Sequence, residues 1–288
     1  MNIKLDQKSS GGRTLVNLLG IPSIILMVFL GGIPFLVFVT VVSLLSLREF
    51  FLLGSHKRIC PQFIIGYIVA AIIILQFYFG PSHPFTIFRH GEILLLVTPV
   101  IILFELFRGK TNSFSNILFT LGGILYIPLL LGSLVALRNI DPIAPKMGMK
   151  LTLCLFLGVW ICDSAAYIVG RYWGKRKILE NVSPRKTIAG GVAGLISTFV
   201  FFMILMEAGI LFSKYATASF NFIDFIVFSI VIGIFGQAGD FAESLIKRDV
   251  GVKDTSSILA GHGGILDRFD SIIISSPLIF LYIKYFIY

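Results

Sequence analysis

Gln237, Asp240, Glu243, Ser244 and Lys247 fall at i, i+3, i+6, i+7 and i+10, which on a helix makes one polar stripe at the end of an otherwise apolar run. Two carboxylates one turn apart beside a lysine can hold a divalent cation and still attract an anion. A solvated helix end would produce the same stripe, so the stripe alone leaves both readings open. A second intramembrane carboxylate is Asp163, in Trp160-Ile161-Cys162-Asp163-Ser164-Ala165-Ala166-Tyr167. Helical spacing puts Trp160, Asp163, Tyr167 and Arg171 along one face. A charge at the bilayer centre costs about 2.5–3.5 kcal/mol on insertion scales, so Asp163 is a functional candidate, with an ion pair made for packing as the alternative.

Two further segments carry groups for phosphate. Gly251-Val252-Lys253-Asp254 is followed by Gly261-His262-Gly263-Gly264-Ile265-Leu266-Asp267-Arg268-Phe269-Asp270. Glycines let backbone N–H groups turn toward a phosphate, and a helix start adds its positive dipole end. Asp267 and Asp270 lie one turn apart at that start, where they either cap the helix or coordinate metal. Ser183-Pro184-Arg185-Lys186-Thr187, preceded by Lys175, Arg176 and Lys177, is ordinary as a topological cluster. Opposite the carboxylates it would supply the cations that a polyphosphate requires. Carboxylates for Mg²⁺ with basic and glycine-rich groups for phosphate describe phosphoryl or nucleotidyl transfer, although no Walker A sequence or kinase signature set is present.

The elements that must position these groups lie in a membrane. The chain of 288 residues is 56% hydrophobic and only 14% charged, too apolar for a soluble domain of this length. Runs such as Phe63 to Phe79 are apolar on both alternate faces, which excludes a transmembrane β-barrel and leaves helices. At about 20 residues per span, an all-α polytopic membrane protein with about nine transmembrane helices is expected, near 15–31, 33–53, 63–80, 92–107, 117–137, 149–170, 188–212, 221–241 and 271–287. The second ends in Arg48 and Glu49. The first apolar stretch lacks a small-residue cleavage site and is expected to be a retained span. Residues 1–150 then form an N-terminal set of helices and 151–288 a C-terminal catalytic region with its motif loops.

With a cytoplasmic amino terminus, eighteen of the 24 lysines and arginines fall on the inside, as the positive-inside rule requires. Segments Arg171–Thr187 and Glu243–Asp270 are two spans apart, so they share one face, which the charge bias makes cytoplasmic. The net charge of +9 is therefore mostly topological; it suits anionic headgroups, and no nucleic-acid motif accompanies it. Cys60, Cys154 and Cys162 have no CxxC spacing and suggest neither a disulfide framework nor a zinc site. No internal repeat of the transporter kind is present.

Ser244-Leu245-Ile246-Lys247-Arg248, then Lys253-Asp254, His262-Gly263-Gly264 and Asp267-Arg268-Phe269-Asp270 closely resemble the signature of the phosphatidate cytidylyltransferases, or CDP-diacylglycerol synthases. The segments 160–170 and 183–187 resemble two further motifs of that family in the expected order, while residues 1–150 match only in being spans. Ala260 stands where the family usually has proline, Ala189 and Ala193 where it often has Glu and Gly, and Arg185 replaces a lysine. The resemblance implies transfer of the cytidylyl group of CTP to phosphatidate, giving CDP-diacylglycerol and pyrophosphate for phospholipid biosynthesis. It implies Mg²⁺, with a second cation in addition, on Asp240 and Asp267. Asp163, Asp254 and Asp270 stand behind them as further metal or orienting groups. Arg185, Lys186, Lys247, Arg248, Lys253, His262, Gly263, Gly264 and Arg268 are the candidates for CTP or lipid phosphate.

Membrane lipid is a partner and nucleic acid is not; a homodimer is an expectation that no residue decides. The place expected is the bacterial cytoplasmic membrane with the site facing the cytoplasm. A CTP-dependent lipid-alcohol kinase is the alternative enzyme. A transporter of an anionic solute, with Asp163 and Asp240 as coupling sites, is the alternative of another class.

Overall fold

In a bilayer every backbone N–H and C=O must be paired without water, and a helix does this within its own segment. The computed structural model describes residues 10–80, 90–140, 146–209, 220–256 and 263–287, with side chains from residue 19 onward. In chain order the helices are α1 Ser10–Leu30, α2 Gly32–Ser55, α3 Phe63–Phe79, α4 His90–Arg108, α5 Ser113–Tyr126, α6 Pro128–Arg138, α7 Met147–Trp173, α8 Ile188–Glu207, α9 Phe222–Ile230, α10 Gln237–Asp249 and α11 Leu266–Tyr282. A π-helical turn, Val231–Gly236, joins α9 to α10, and another, Ile283–Ile287, follows α11. No strand forms among the described residues, and the all-α polytopic expectation holds.

Among the described residues, seven stretches are long and apolar enough to cross a membrane: α2, α4, α5 with α6, α7, α8, α9 through α10, and α11 with its trailing turn. Leu19–Leu30 of α1 and the whole of α3 are apolar but shorter. At 17 residues, α3 rises about 25 Å against about 30 Å of hydrocarbon. The nine expected spans therefore divide into seven of full length and two short apolar helices.

Three boundaries differ from expectation for identifiable reasons. The expected span 117–137 is two helices broken at Ile127, because Pro128 has no N–H to continue the ladder. Helix α10 runs to Asp249 rather than ending at 241, since its polar stripe turns inward onto other polar groups. Helix α11 begins at Leu266 rather than 271, which puts Asp267 in its first turn and Asp270 just after it.

Close approach of α7 and α8 builds the wall of the C-terminal region. A Cβ on Gly190 would meet the Ala166 carbonyl oxygen at 2.6 Å, and one on Gly194 would meet Cys162 Sγ at 2.8 Å. Small residues four apart let two membrane helices approach this closely. Thr187 Oγ1 caps α8 by accepting from Gly190 N at 3.2 Å. Gln237 Nε2 donates to the Gly191 carbonyl at 3.0 Å and to the Gly233 carbonyl at 2.5 Å, so the first residue of the polar stripe ties α10 to α8.

A buried polar knot holds the other half. Glu105 on α4 accepts from Gln62 Nε2 at 2.9 Å and Asn116 Nδ2 at 2.6 Å, and pairs with Arg108 at 2.6 Å. It thereby fastens α4 to α5 and to the start of α3. Both halves of the chain contribute to one apolar core, in which Phe35, Leu47 and Leu134 lie in the same cluster as Leu155, Phe202 and Ile273.

Candidate active site

The basic segment after α7 folds into a short hairpin. Ile178 N donates to the Lys186 carbonyl at 3.2 Å, Ile188 N donates to the Arg176 carbonyl at 2.9 Å, and Lys177 and Thr187 form a single antiparallel bridge. This geometry brings Lys186 to α10, where its ammonium pairs with Asp240 and lies 4.2 Å from the centre of the Phe241 ring. Arg248, near the end of α10, donates from Nε to the Val182 carbonyl at 3.2 Å and holds the hairpin from the other side. The two segments that parity assigned to one face are in contact.

Asp240, Glu243 and Asp270 each offer an oxygen within 4.8 Å of the others, two from α10 and one from α11. The π turn ahead of α10 matters here, because its i→i+5 pattern adds a residue to the helical ladder and re-aims the side chains that follow. Glu243 and Asp270 are buried and Asp240 is half-buried. Asp163 on α7 lies close enough to feel the charges of Asp240 and Lys186. Lys247 pairs with Glu243 and reaches Asp267 Oδ1 at 2.5 Å. Of these carboxylates, Asp240, Glu243 and Asp270 are the three whose oxygens converge, and Lys186 and Lys247 stand beside them.

The glycine-rich stretch serves those carboxylates directly. Asp267 Oδ2 accepts from Gly264 N at 2.6 Å, Thr255 N at 3.0 Å and Thr255 Oγ1 at 2.9 Å. Gly263 has a φ of 78°, and a Cβ there would lie 2.5 Å from Asp267 Oδ2. A Cβ on Gly264 would collide with Thr255 Oγ1 and the Glu49 carboxylate. The backbone can pass this close to two carboxylates only without side chains.

Residues 11–286 match the model described as the Cytidylyltransferase family. The chain belongs to that family. Proteins named phosphatidate cytidylyltransferase are similar along nearly its whole length. That of Bacillus subtilis (strain 168) is 27% identical over 278 residues, covering 95% of this chain and 97% of the relative. That of Staphylococcus haemolyticus (strain JCSC1435) is 30% identical over 267 residues, covering 93% and 96%. That of Staphylococcus aureus (strain COL) is 28% identical over the same length.

In this cytidylyltransferase, Asp240, Lys186, Lys247, Asp267 and Asp270 stand together, with Asp163 at the edge. Arg185, Lys253, Asp254 and Arg268 are exposed, and Arg248 is engaged with the carbonyls of Val182 and Val252. His262 lies outside the described residues. At the start of α11, read from sequence as a phosphate cradle, three N–H groups meet carboxylates of the protein itself: Gly264 donates to Asp267, and Ile265 and Leu266 donate to Glu49. Asp267, read as a metal ligand, has its two oxygens accepting from Lys247, Thr255 and Gly264.

Two residues escaped the sequence reading. Glu49 sat in plain view at the end of the second span and is completely buried, accepting from Thr255, Ser256, Ile265 and Leu266. Its signal was a helical stripe of Ser43, Ser46 and Glu49 in an otherwise apolar run. Tyr126, at the break between α5 and α6, has a buried hydroxyl without a partner among the described residues and lies within electrostatic reach of Asp240, Glu243 and Asp270. No local pattern marks that tyrosine.

Proposed function

We propose that this family member is a membrane-embedded phosphatidate cytidylyltransferase, converting CTP and phosphatidate to CDP-diacylglycerol and pyrophosphate for phospholipid biosynthesis. Relatives bearing that name span almost the entire chain. The observation in the structure that carries the reading is the Lys186–Asp240 pair, which joins the basic hairpin to the carboxylate cluster. A cation site and a polyphosphate site must touch in such an enzyme, and the contact of the basic hairpin with the carboxylate cluster supports that reading.

The lipid phosphate is already a competent nucleophile, so no covalent enzyme intermediate is required. One of its oxygens attacks the α-phosphorus of CTP in line, a new P–O bond forms, and the bond from the α-phosphorus to the bridging oxygen breaks. The electron pair leaves with pyrophosphate. Lys186, with Arg185 beside it, attracts and orients the phosphates. Phe241 packs under the Lys186 ammonium and limits where that charge can sit.

Asp240, Glu243 and Asp270 fit a divalent cation by donor type and spacing, and Glu243 Oε1 is buried without a hydrogen-bond donor among the described residues. Bound there, Mg²⁺ would neutralise charge developing on the phosphates. The position between Glu243 and Asp267 is filled by the Lys247 ammonium, so a second metal ion on Asp267 requires that side chain to move. The positive-inside bias supports a site facing the cytoplasm, and the bacterial relatives support the cytoplasmic membrane as its location.

Purified protein in detergent, supplied with phosphatidate, Mg²⁺ and α-labelled CTP, tests the reading. Label should enter the lipid phase with the intact chain. It should not with Asp240→Asn or Asp267→Asn, although both variants remain folded. No label from folded, lipid-supplied protein refutes cytidylyl transfer, and lipid labelled from γ-labelled CTP would establish the kinase instead. Retained activity in either variant removes that aspartate from the site.

A further inference from the structure

The carboxylate of Glu49 comes from α2, more than 200 residues before the loop it holds. Its Oε1 accepts from Ser256 Oγ at 2.6 Å and Ile265 N at 3.0 Å. Its Oε2 accepts from Thr255 Oγ1 at 3.1 Å and Leu266 N at 2.8 Å. The side chain is 0% exposed, so water replaces none of these bonds. Thr255 Oγ1 lies between the two carboxylates, 3.1 Å from Glu49 and 2.9 Å from Asp267.

A helix start presents backbone N–H groups with no partner in their own helix and the positive end of its dipole. Glu49 accepts from Ile265 and Leu266 at the start of α11 and places its carboxyl at the positive end of that helix. The consequence reaches beyond capping, because the turn it fixes carries Asp267 and leads directly into Asp270. Thr255 gives its N–H to Asp267, and its hydroxyl, with one proton to donate, stands within hydrogen-bond distance of both carboxylates. We infer that Glu49 is a positioning residue for nucleotidyl transfer. Through Thr255 and the start of α11 it sets the place of Asp267 and Asp270, without touching substrate itself.

This inference rests on the cytidylyl-transfer reading for its kinetic arm and on geometry alone for its structural arm. Glu49→Gln is nearly isosteric but replaces one acceptor oxygen by an NH₂ group. Either Ser256 and Ile265, or Thr255 and Leu266, must then face a donor. Groups that orient functional carboxylates in this way are typically worth about 10- to 100-fold in activity or metal affinity. The expected result is a kcat lower by at least about tenfold with KM for CTP changed less than about twofold, as for a residue that orients rather than binds. Hydrogen exchange should quicken at Ile265 and Leu266 while α8 keeps its protection. Glu49→Asp, which keeps the charge on a shorter stem, should recover part of the loss. Thr255→Val removes the bridging hydroxyl but leaves Glu49 bonded to α11, and it should lower kcat in the same direction should Glu49→Gln fail to fold.

Wild-type kcat in Glu49→Gln, with unchanged exchange at Ile265 and Leu266, overturns the inference. So does a loss of activity matched by a general loss of protection, which would make Glu49 a folding residue only. Absence of label transfer by the wild-type chain in the same preparation would refute the cytidylyltransferase reading. The exchange comparison would still decide whether Glu49 holds α11.

Discussion

Replacing Lys186 by alanine separates what its ion pair does for stability from what its charge does for the nucleotide. The Lys186 and Asp240 side chains are 28% and 32% exposed, so their attraction is largely screened. Pairs of this kind contribute about 0.2–1 kcal/mol. The contact with Phe241 adds about 0.5–1 kcal/mol at such a site. The loss of stability should therefore stay below about 2 kcal/mol and leave the protein folded. A charge-assisted hydrogen bond to a phosphate is worth about 1.5–3 kcal/mol, and each 1.4 kcal/mol is tenfold in affinity. KM for CTP should rise about 10- to 150-fold on that basis. Freed of its partner, Asp240 would also repel the nucleotide, which acts in the same direction. Initial rates over a range of labelled CTP, together with thermal unfolding in detergent, measure both quantities on one preparation. Lys186→Arg keeps the charge and should recover most of the affinity. An unchanged KM with wild-type turnover would refute the reasoning and return the basic hairpin to a purely topological role.

Two other substitutions test how the site is held. Glu105→Ala removes an acceptor shared by Gln62, Asn116 and Arg108, which keep the carbonyls of Ile101, Thr111 and Cys60, so each lost bond costs about 0.5–1.5 kcal/mol. The unfolding temperature should drop clearly while KM for CTP stays put, and an unaltered unfolding temperature would show that the knot contributes nothing. Gly190→Ala places a Cβ 2.6 Å from the Ala166 backbone oxygen. It must push α8 from α7 at a cost of about 1–3 kcal/mol, and turnover should fall because Thr187 sits at that contact, next in sequence to Lys186. Gly122→Ala, where a Cβ meets nothing within 4 Å, is the matched control. Equal stability of the two variants would refute the close-packing account.

Much of the molecule was legible in the amino-acid order because the bilayer simplifies the problem. A span must be apolar and long enough, so composition and run length located the helices to within a few residues, and counting spans put the hairpin and the α10–α11 loop on one face. A charge is costly in hydrocarbon, so Asp163 stood out against its surroundings, while Asp267 was singled out by the glycine-rich loop that carries it. Local spacing also determined the stripe on α10, since residues three and four apart on a helix share a face. Break points were less visible: Pro128 ends α5, and the π turn before α10 leaves no periodic trace.

Only the tertiary structure decided the partners. Glu49 and Asp270 are 221 positions apart, and nothing in a linear pattern says that α2 supplies the acceptor for the start of α11. The glycines at 263 and 264 read as a phosphate loop because flexible backbone and free N–H groups suit an anion. The Gly264 N–H, with those of Ile265 and Leu266 after it, goes to the protein's own carboxylates, brought there by packing. Lys186 and Lys247 could have been topological charges by sequence alone, and their pairing with Asp240, Glu243 and Asp267 is what assigns them to the site. Sequence determines which groups are too costly to bury alone; the fold determines which of them are buried together.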